Sequence, residues 1–289
     1  MTRLVSMRRD YHRMVGSQIL RFSVRNNRRF PNFADGSSQS SIRIGNGLVE
    51  ELGLRQQRGA QQISGQTAGS RFEGLTCEFI RTAFDSLAHL RPGQWTYKVG
   101  QTKISNFVQY AHLEAIESLV NENHALASAL GHGYVVTPDI VVARQPVAKG
   151  EVDSGGDFLS QDEVATLTPF IQGNMSPETP LLHASISCKW TIRSDRSQNT
   201  RTEALNLIRN RKGNLPHIVA VTAEPLPMRI ASLALGTGDL DCVYHFALGE
   251  LRKVCASEPS LADQSEMLEA MVAGNRLRDI SDLPFDLAV

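Results

Sequence analysis

Residues 182–193 read LHASISCKWTIR, and side chains of two kinds alternate along this stretch. Every even-numbered residue in it is apolar, and every odd-numbered residue can form hydrogen bonds. A period of two is typical of a β-strand that buries one face, so the stretch predicts a half-buried strand. Lys189 lies on the polar face of that strand, where it is either simply solvated or part of a functional site.

Further helices and strands are predicted to alternate around this strand. The predicted helices span residues 72–87, 109–120, 123–131 and 202–212, and the predicted strands span residues 95–100, 134–144 and 216–224. Ser70 is the predicted N-cap of the first helix, and Gly213 is predicted to end the last one. Residues 1–70 and 145–180 are rich in polar and turn-forming residues, which favours irregular structure. This order of elements, without an internal repeat, predicts one mixed α/β domain over residues 1–289 around a central sheet.

Composition is that of an ordinary globular protein, with 41% apolar and 21% charged residues. The formal net charge is zero, but the charges are unevenly distributed. Residues 1–47 hold nine arginines against two aspartates, and residues 189–213 hold seven basic residues against two acidic ones. Residues 239–289 hold ten acidic residues against four basic ones. Such segments can build a positive cleft, or their charges can average out over the folded surface, and composition leaves both open.

Apolar runs and cysteines bear on the compartment of the protein. Apolar runs stay well short of the roughly 20 residues needed to cross a bilayer, so no membrane partner is expected. The cysteines are scattered without a Cys-x-x-Cys pair, at positions 77, 188, 242 and 255. This spacing favours reduced thiols in a cytoplasm over a disulfide framework or a zinc site.

Three acidic residues are candidates for a site together with Lys189. Asp139 follows Pro138 inside an apolar stretch, where a buried acid without a partner would cost several kcal/mol, although an exposed turn explains it equally well. Glu203 lies three residues after Thr200 in a capping-box pattern, and Glu73 lies in the predicted first turn of a helix, where the helix dipole favours an acid. Each acid alone has a structural explanation. Together with the lysine they match a Mg²⁺ site for phosphodiester hydrolysis, which needs oxygen ligands and a nearby cation.

Other classes of site lack their sequence pattern. There is neither a phosphate-binding Gly-x-x-x-x-Gly-Lys-Ser/Thr loop nor a Gly-x-Gly-x-x-Gly motif. The eight histidines show no metal-ligand spacing. Ser187 lacks the Gly-x-Ser-x-Gly pattern of a nucleophile elbow, which argues against a serine hydrolase.

Several longer motifs resemble one known family. They are NFADGS, GQTAGSRFE, TPDIVVAR, LLHASISCKWTIRSDR, LNLIRNRKGNLPHIVAVTAEP, ALGTGDLDCVYHFAL and RLRDISDLPFDLAV. The chain resembles the NgoMIV-type type II restriction endonucleases of the PD-(D/E)XK nuclease superfamily, from about residue 32 to its end. Residues 1–31 match weakly, and residues 145–180 are the most divergent interior stretch. The resemblance implies a restriction-endonuclease-like α/β fold, with a mixed central β-sheet flanked by α-helices.

The same resemblance implies an active site. Asp139 matches the metal-binding aspartate of the family, and Lys189 matches its catalytic lysine. Most of the superfamily has an acid two residues before that lysine, where this chain has Ser187. In the NgoMIV-like branch the following helix supplies the missing acid, which corresponds to Glu203 and makes it the second metal ligand. Glu73 matches a further active-site acid.

Six residues match the family's base-reading positions: Arg193, Asp195, Arg196, Asp35, Arg229 and Gln66. The first three match the readers of a central CCGG, the next two match the readers of the outer base pair, and the last matches a minor-groove contact. The chemistry agrees with these roles, because arginine donates two hydrogen bonds to guanine O6 and N7, and aspartate accepts from cytosine N4.

The resemblance therefore implies a Mg²⁺-dependent endonuclease that cuts double-stranded DNA at G/CCGGC and leaves four-base 5′ overhangs. It also implies a homotetramer built from dimers, with residues 145–180 in part of the contact, a cognate DNA methyltransferase, and a prokaryotic cytoplasm. Two alternatives are a nuclease of the same superfamily with a repair or non-specific role, and a DNA-binding homologue that no longer cuts.

Overall fold

A computed structural model describes residues 2–130, 136–156, 158–159, 164–175, 178–236 and 238–289, with the side chains of residues 126, 129, 130 and 194–197 excepted. A mixed sheet lies at its centre, with strands in the order β3 (Trp95–Val99), β4 (Ile140–Arg144), β5 (Leu181–Lys189), β6 (His217–Thr222), β7 (Cys242–His245) and β8 (Leu277–Asp279). The first three strands pair antiparallel, and the strands from β5 to β8 pair parallel. The predicted α/β class with a mixed central sheet is confirmed.

Helices flank this sheet. They are α1 (Arg3–Gln18), α2 (Gln39–Glu51), α3 (Gly65–Asp85), α4 (His112–Glu122), α5 (His124–Leu130), α6 (Lys149–Val152), α7 (Ser194–Asn210), α8 (Pro227–Ala234), α9 (Leu248–Ser257), α10 (Ala262–Ala273) and α11 (Leu283–Asp286). Helix α3 packs against β3 and β5, and α8 packs against β7. Within the described ranges, each helix is too short or too polar to cross a membrane.

The strand quoted first has the predicted alternation. Leu182, Ala184, Ile186 and Cys188 are buried in β5, whereas Ser187 and Lys189 remain half-buried. The strand ends at Lys189 and does not continue to residue 193, because the parallel neighbour β6 ends beside it at Thr222. The catalytic candidate therefore lies at the carboxyl end of its strand, which is where loops and helices can build a site.

Residues 1–70 are far more regular than predicted, and the expectation of irregular structure is wrong for much of this segment. Helix α1 buries Tyr11 and Val15 on one face. Its arginines lie mostly on the other faces, and they obscure the helical spacing of apolar residues in the sequence. A hairpin of β1 (Phe22–Arg25) and β2 (Arg28–Pro31) follows, with Asn26 and Asn27 at positive φ as a tight hairpin turn requires. Helix α2 completes the segment.

Two predicted helix starts are also wrong. Helix α3 begins at Gly65, and its N-cap is Ser64, whose hydroxyl accepts the N–H of Thr67 at 3.0 Å, so Ser70 lies inside the helix. Its small polar residues had the composition of a loop, but tertiary packing overrides that weak preference. Helix α7 begins at Ser194, eight residues before the predicted start. Glu73 and Glu203 therefore lie well inside their helices, and neither the helix dipole nor a capping box explains them.

Candidate active site

Asp139 lies directly before β4 and is held by the neighbouring strand β5. Its Oδ2 atom accepts hydrogen bonds from the backbone N–H of Cys188 at 2.7 Å, the ammonium group of Lys189 at 2.8 Å and the hydroxyl of Ser187 at 3.3 Å. Three donors on one oxygen fix the orientation of the carboxyl group. The acid that the sequence places after Pro138 therefore has partners, and it is not a solvated turn.

Asp139 and Lys189 form an ion pair that is only partly open to solvent. The side chain of Asp139 is 26% exposed, and that of Lys189 is 19% exposed. Water screens such a pair less than it screens surface charges, so the field of the pair acts strongly on nearby groups. A phosphate approaching this position would meet the lysine ammonium and the carboxylate together.

Helices α3 and α7 bring two further acids to this pair. Burial raises the pKa of Glu73, and the charge of Asp139 raises it further, whereas Lys189 lowers it. Burial also raises the pKa of Glu203, which Lys189 lowers and Asp139 raises. Three carboxyl groups thus share the field of one ammonium group. The structure brings together Asp139, Lys189, Glu203 and Glu73, which come from four separate elements.

A polar cleft of about 1640 Å³ opens over these groups. Among the residues predicted from the sequence, those lining it are Asp35, Gln66, Glu73, Lys189, Arg193, Glu203 and Arg229. The cleft is larger than the roughly 300–1,000 Å³ that small ligands occupy, which favours a macromolecular substrate. Asp195 and Arg196 belong to helix α7, but their side chains are not part of the described structure.

Asp35 and Arg229 are 194 residues apart in the chain and form an ion pair on the wall of the cleft. The hydroxyl and the backbone N–H of Ser37 donate to Asp35 at 2.6 and 2.9 Å. These bonds from Ser37, together with Arg229, lower the pKa of Asp35 to about 2. A carboxylate and a guanidinium therefore lie side by side, and both are charged at neutral pH.

Two polar residues near the site were missed by reasoning from the sequence. The hydroxyl of Thr200, assigned to a cap, instead faces Ser187 from within α7, with 3.5 Å between the two Oγ atoms. Glu224 follows the apolar strand β6 and is only 1% exposed. An acid inside an apolar stretch was the signal used for Asp139, and Glu224, the last residue of the predicted strand at 216–224, shows the same signal.

The donor set suits a hard cation held jointly with a substrate. Among the described residues, His, Cys, Asp and Glu side chains form no group of three that could enclose a metal ion. Mg²⁺ does not need such a cage, since it is usually bound through one or two carboxylates, water and substrate phosphates. The oxygen atoms of Asp139 and Glu203 match that preference. The pKa of Glu203 is raised mainly by burial, and a bound divalent cation would stabilise its charged form.

Comparison with known proteins gives one family. The family described as NgoMIV restriction enzyme matches residues 11–289. The type II restriction enzyme NgoMIV of Neisseria gonorrhoeae is 48% identical over 287 residues, which cover 98% of this chain and 97% of that protein. A crystal structure of the Type IIF restriction endonuclease Bse634I with cognate DNA aligns with 90% of this chain and 99% of its own, at 12% identity. Its TM-score of 0.36 is too low to support an inference. The match to the family model and the identity along nearly the whole chain show that this chain belongs to the NgoMIV restriction enzyme family and is a type II restriction endonuclease.

Proposed function

We propose that this enzyme cuts double-stranded DNA by Mg²⁺-dependent phosphodiester hydrolysis in a PD-(D/E)XK site. The observation that carries the proposal is the contact of Lys189 with Asp139 at 2.8 Å, with Lys189, Glu203 and Glu73 lining one polar cleft. Asp139 and Glu203 would hold the metal ion. Bound Mg²⁺ would supply charge stabilisation at the scissile phosphate, as divalent ions do in phosphoryl chemistry.

The protein side chains have separate tasks in this reaction. Lys189 presents its ammonium group to the attacking water and to the phosphate, where it orients the water and offsets negative charge that develops in the transition state. Ser187 and the N–H of Cys188 hold Asp139 in the orientation that the metal needs. Glu73 is a further acid whose half-buried carboxyl feels the charge of Asp139. Cleavage leaves a 5′-phosphate and a 3′-hydroxyl.

We propose GCCGGC as the recognition site, cut after the first G to leave four-base 5′ overhangs. Arg193, Asp195 and Arg196 would read the central CCGG, and Gln66 would contact the minor groove. The placement of Arg193 four residues after the catalytic lysine links base reading to the position of the scissile bond.

The outer base pair is assigned to Asp35 and Arg229. Their adjacency supports this role, because a guanine presents acceptors and its paired cytosine presents a donor on the same groove edge. A neighbouring guanidinium can donate to the guanine acceptors, and the carboxylate beside it can accept from the cytosine donor.

A palindromic site requires a two-fold symmetric protein, and we propose a homotetramer built from dimers. Residues 145–180 would supply part of the contact. Phe158 and Leu167 in this segment are 81% and 90% exposed in the single chain, which is unusual for large apolar side chains and agrees with an oligomer contact. A cognate methyltransferase would protect host DNA in the prokaryotic cytoplasm.

Cleavage of a sequenced plasmid with Mg²⁺, followed by mapping of the ends, tests this proposal. We expect cuts at G/CCGGC and a loss of at least about 100-fold in rate for Lys189→Ala with binding to the site retained. Lys253→Ala on α9 is the matched control, since Lys253 is exposed, and it should cut normally.

The alternative functions predict other outcomes. A repair or non-specific nuclease would cut without sequence preference and with steep salt dependence. A non-cleaving homologue would bind the site and leave the plasmid intact. Arg196→Ala should lose discrimination within CCGG, and unchanged positions at an unchanged rate would exclude its reading role.

A further inference from the structure

Glu224 is a buried carboxyl group that the catalytic roles above do not use. It lies two residues after the end of β6 and is 1% exposed, a degree of burial that is rare for glutamate without strong partners. Burial raises its pKa to about 7, while two backbone N–H groups and Arg229 favour its charged form. Its two oxygen atoms face different structural elements.

One oxygen holds the segment that leaves the catalytic strand. The N–H of Ile192 donates to Oε2 of Glu224 at 2.9 Å. Just before it, the carbonyl of Lys189 accepts from the Thr222 hydroxyl at 2.8 Å and from the N–H of Ala223 at 3.2 Å. The end of β6 thus holds both ends of the short segment from the catalytic lysine to the residue that precedes Arg193.

The other oxygen holds the start of the helix that carries Arg229. Oε1 of Glu224 accepts the N–H of Leu226 at 3.2 Å, directly before α8 begins at Pro227. Nη1 of Arg229 lies 4.0 Å from the same oxygen, while its Nη2 donates to Asp35. The guanidinium of Arg229 is therefore placed between a partly exposed carboxylate and a buried one.

We propose that Glu224 is a positioning residue for specificity, which sets Arg229 against the segment that carries Arg193. This inference rests on the proposed base-reading roles. When Asp35 also accepts a hydrogen bond from a base of the outer pair, Glu224 remains as the buried counter-charge of the Arg229 guanidinium. Its other oxygen holds the N–H of Ile192, but Thr222 and Ala223 also hold this segment through the Lys189 carbonyl, so loss of the Glu224 charge should affect Arg229 more than the central readers.

The chemistry of the position requires a carboxylate. Two backbone N–H groups on opposite oxygens, with a guanidinium beside one of them, need two acceptors and a negative charge. Glutamine has one acceptor oxygen and one NH₂ donor group. In Glu224→Gln the NH₂ group therefore faces donors on one side, which are either the N–H of Ile192 or the N–H of Leu226 and the guanidinium of Arg229. The variant keeps the shape of the side chain and removes the charge that aligns Arg229.

The test compares cleavage of three duplexes by the full-length enzyme: the proposed site, the site with its outer base pair exchanged, and the site with one central pair exchanged. For Glu224→Gln we expect the preference for the correct outer pair to fall by about tenfold or more, the size of one good base contact. Preference at the central pairs should change by less than about twofold. Glu114→Gln, an exposed acid on α4, is the matched control and should behave as the parent enzyme.

A double-mutant cycle with Arg229→Ala separates positioning from general loss of structure. If Glu224 acts through Arg229, adding Glu224→Gln to Arg229→Ala should cause no further loss of outer-pair preference. A further loss of similar size, or equal losses at outer and central pairs, would overturn the inference. Thermal unfolding checks each protein, and Glu224→Leu, which also removes the negative charge beside Arg229 at a similar side-chain size, replaces an unfolded glutamine variant with the same expectation.

Different results would refute the reading role of Arg229 and the positioning role of Glu224. If Arg229→Ala retains the outer-pair preference, the reading role proposed for Arg229 is wrong, and the inference falls with it. If Arg229→Ala loses that preference while Glu224→Gln retains it in full, the reading role stands and only the positioning role of Glu224 is overturned.

Discussion

Glu224→Gln should change how the stability of the protein depends on pH. In the parent protein the pKa of Glu224 is raised from 4.5 to about 7, mainly by burial. Below pH 4.5 the carboxyl group is protonated in both the folded and the unfolded chain. Between pH 4.5 and 7 the unfolded chain ionises first, so the unfolded state gains stability and the free energy of unfolding falls. Above pH 7 both states are ionised, and this contribution becomes constant.

The size of the effect follows from the interval between the two pKa values. At about 1.4 kcal/mol per pH unit, it corresponds to about 3 kcal/mol of stability lost between pH 4.5 and 7. Glutamine has the shape of the protonated acid and likewise combines one carbonyl oxygen with one donor group, but it does not titrate. The variant should therefore gain about 3 kcal/mol relative to the parent protein as the pH rises from 4 to 8. Asp35 and Arg229, the charged groups that face Glu224, are present in both proteins.

Urea unfolding followed by fluorescence at pH 4, 5, 6, 7 and 8 measures this difference. The free energies of unfolding of the two proteins should diverge between pH 4.5 and 7 and run parallel above it. Parallel curves over the whole range would refute the reasoning, because they would mean that Glu224 ionises equally in the folded and unfolded chains. Divergence with the opposite sign would mean that Arg229 and the two N–H donors outweigh burial.

Two further predictions concern other parts of the protein. Arg8 donates to both Glu250 and Asp279 at 2.6–2.9 Å, so Arg8→Ala should leave two half-buried carboxylates unpaired and cost about 3 kcal/mol in urea unfolding at pH 7. An unchanged urea midpoint would show that α1 is not anchored by this contact. Since burial raises the pKa of Glu203, the Mg²⁺ concentration for half-maximal cleavage should rise as the pH is lowered into the acidic range. A constant or falling value would exclude Glu203 from metal binding.

Local patterns in the sequence were enough to predict the strand that carries Lys189. Alternation over residues 182–193 predicts which side chains share the polar face of β5, and the contacts of Ser187 and Lys189 with one aspartate agree with that face. Periodicity also predicts the bodies of α3 and α7, although not where each helix begins. Small residues at the start of α3 and polar ones at the start of α7 resemble loops, since their helical state depends on tertiary packing that a local window does not contain.

Long-range pairs were beyond any local pattern. The contact of Asp35 with Arg229 joins residues 194 positions apart, and the contact of Arg8 with Asp279 spans 271 positions. The sequence around either residue of such a pair does not indicate which residue is its partner. The charges at residues 1–47 left a positive cleft and averaged surface charge both open, but Arg8 and Arg43 of this segment pair with acids of the segment at residues 239–289. Ion pairs within the fold therefore compensate part of the charge imbalance between the two ends of the chain.

The hydrogen bond from the N–H of Cys188 to Asp139 has a consequence for genetic studies of this enzyme. A main-chain donor is common to every amino acid except proline, so substitutions at position 188 or at the neighbouring serine and lysine leave at least one anchor on the carboxylate. Loss of cutting in such variants can therefore be attributed to the missing side chain, because the aspartate that we propose as a metal ligand keeps its main-chain anchor. Only Cys188→Pro would remove the anchor itself, and it would disrupt the strand at the same time.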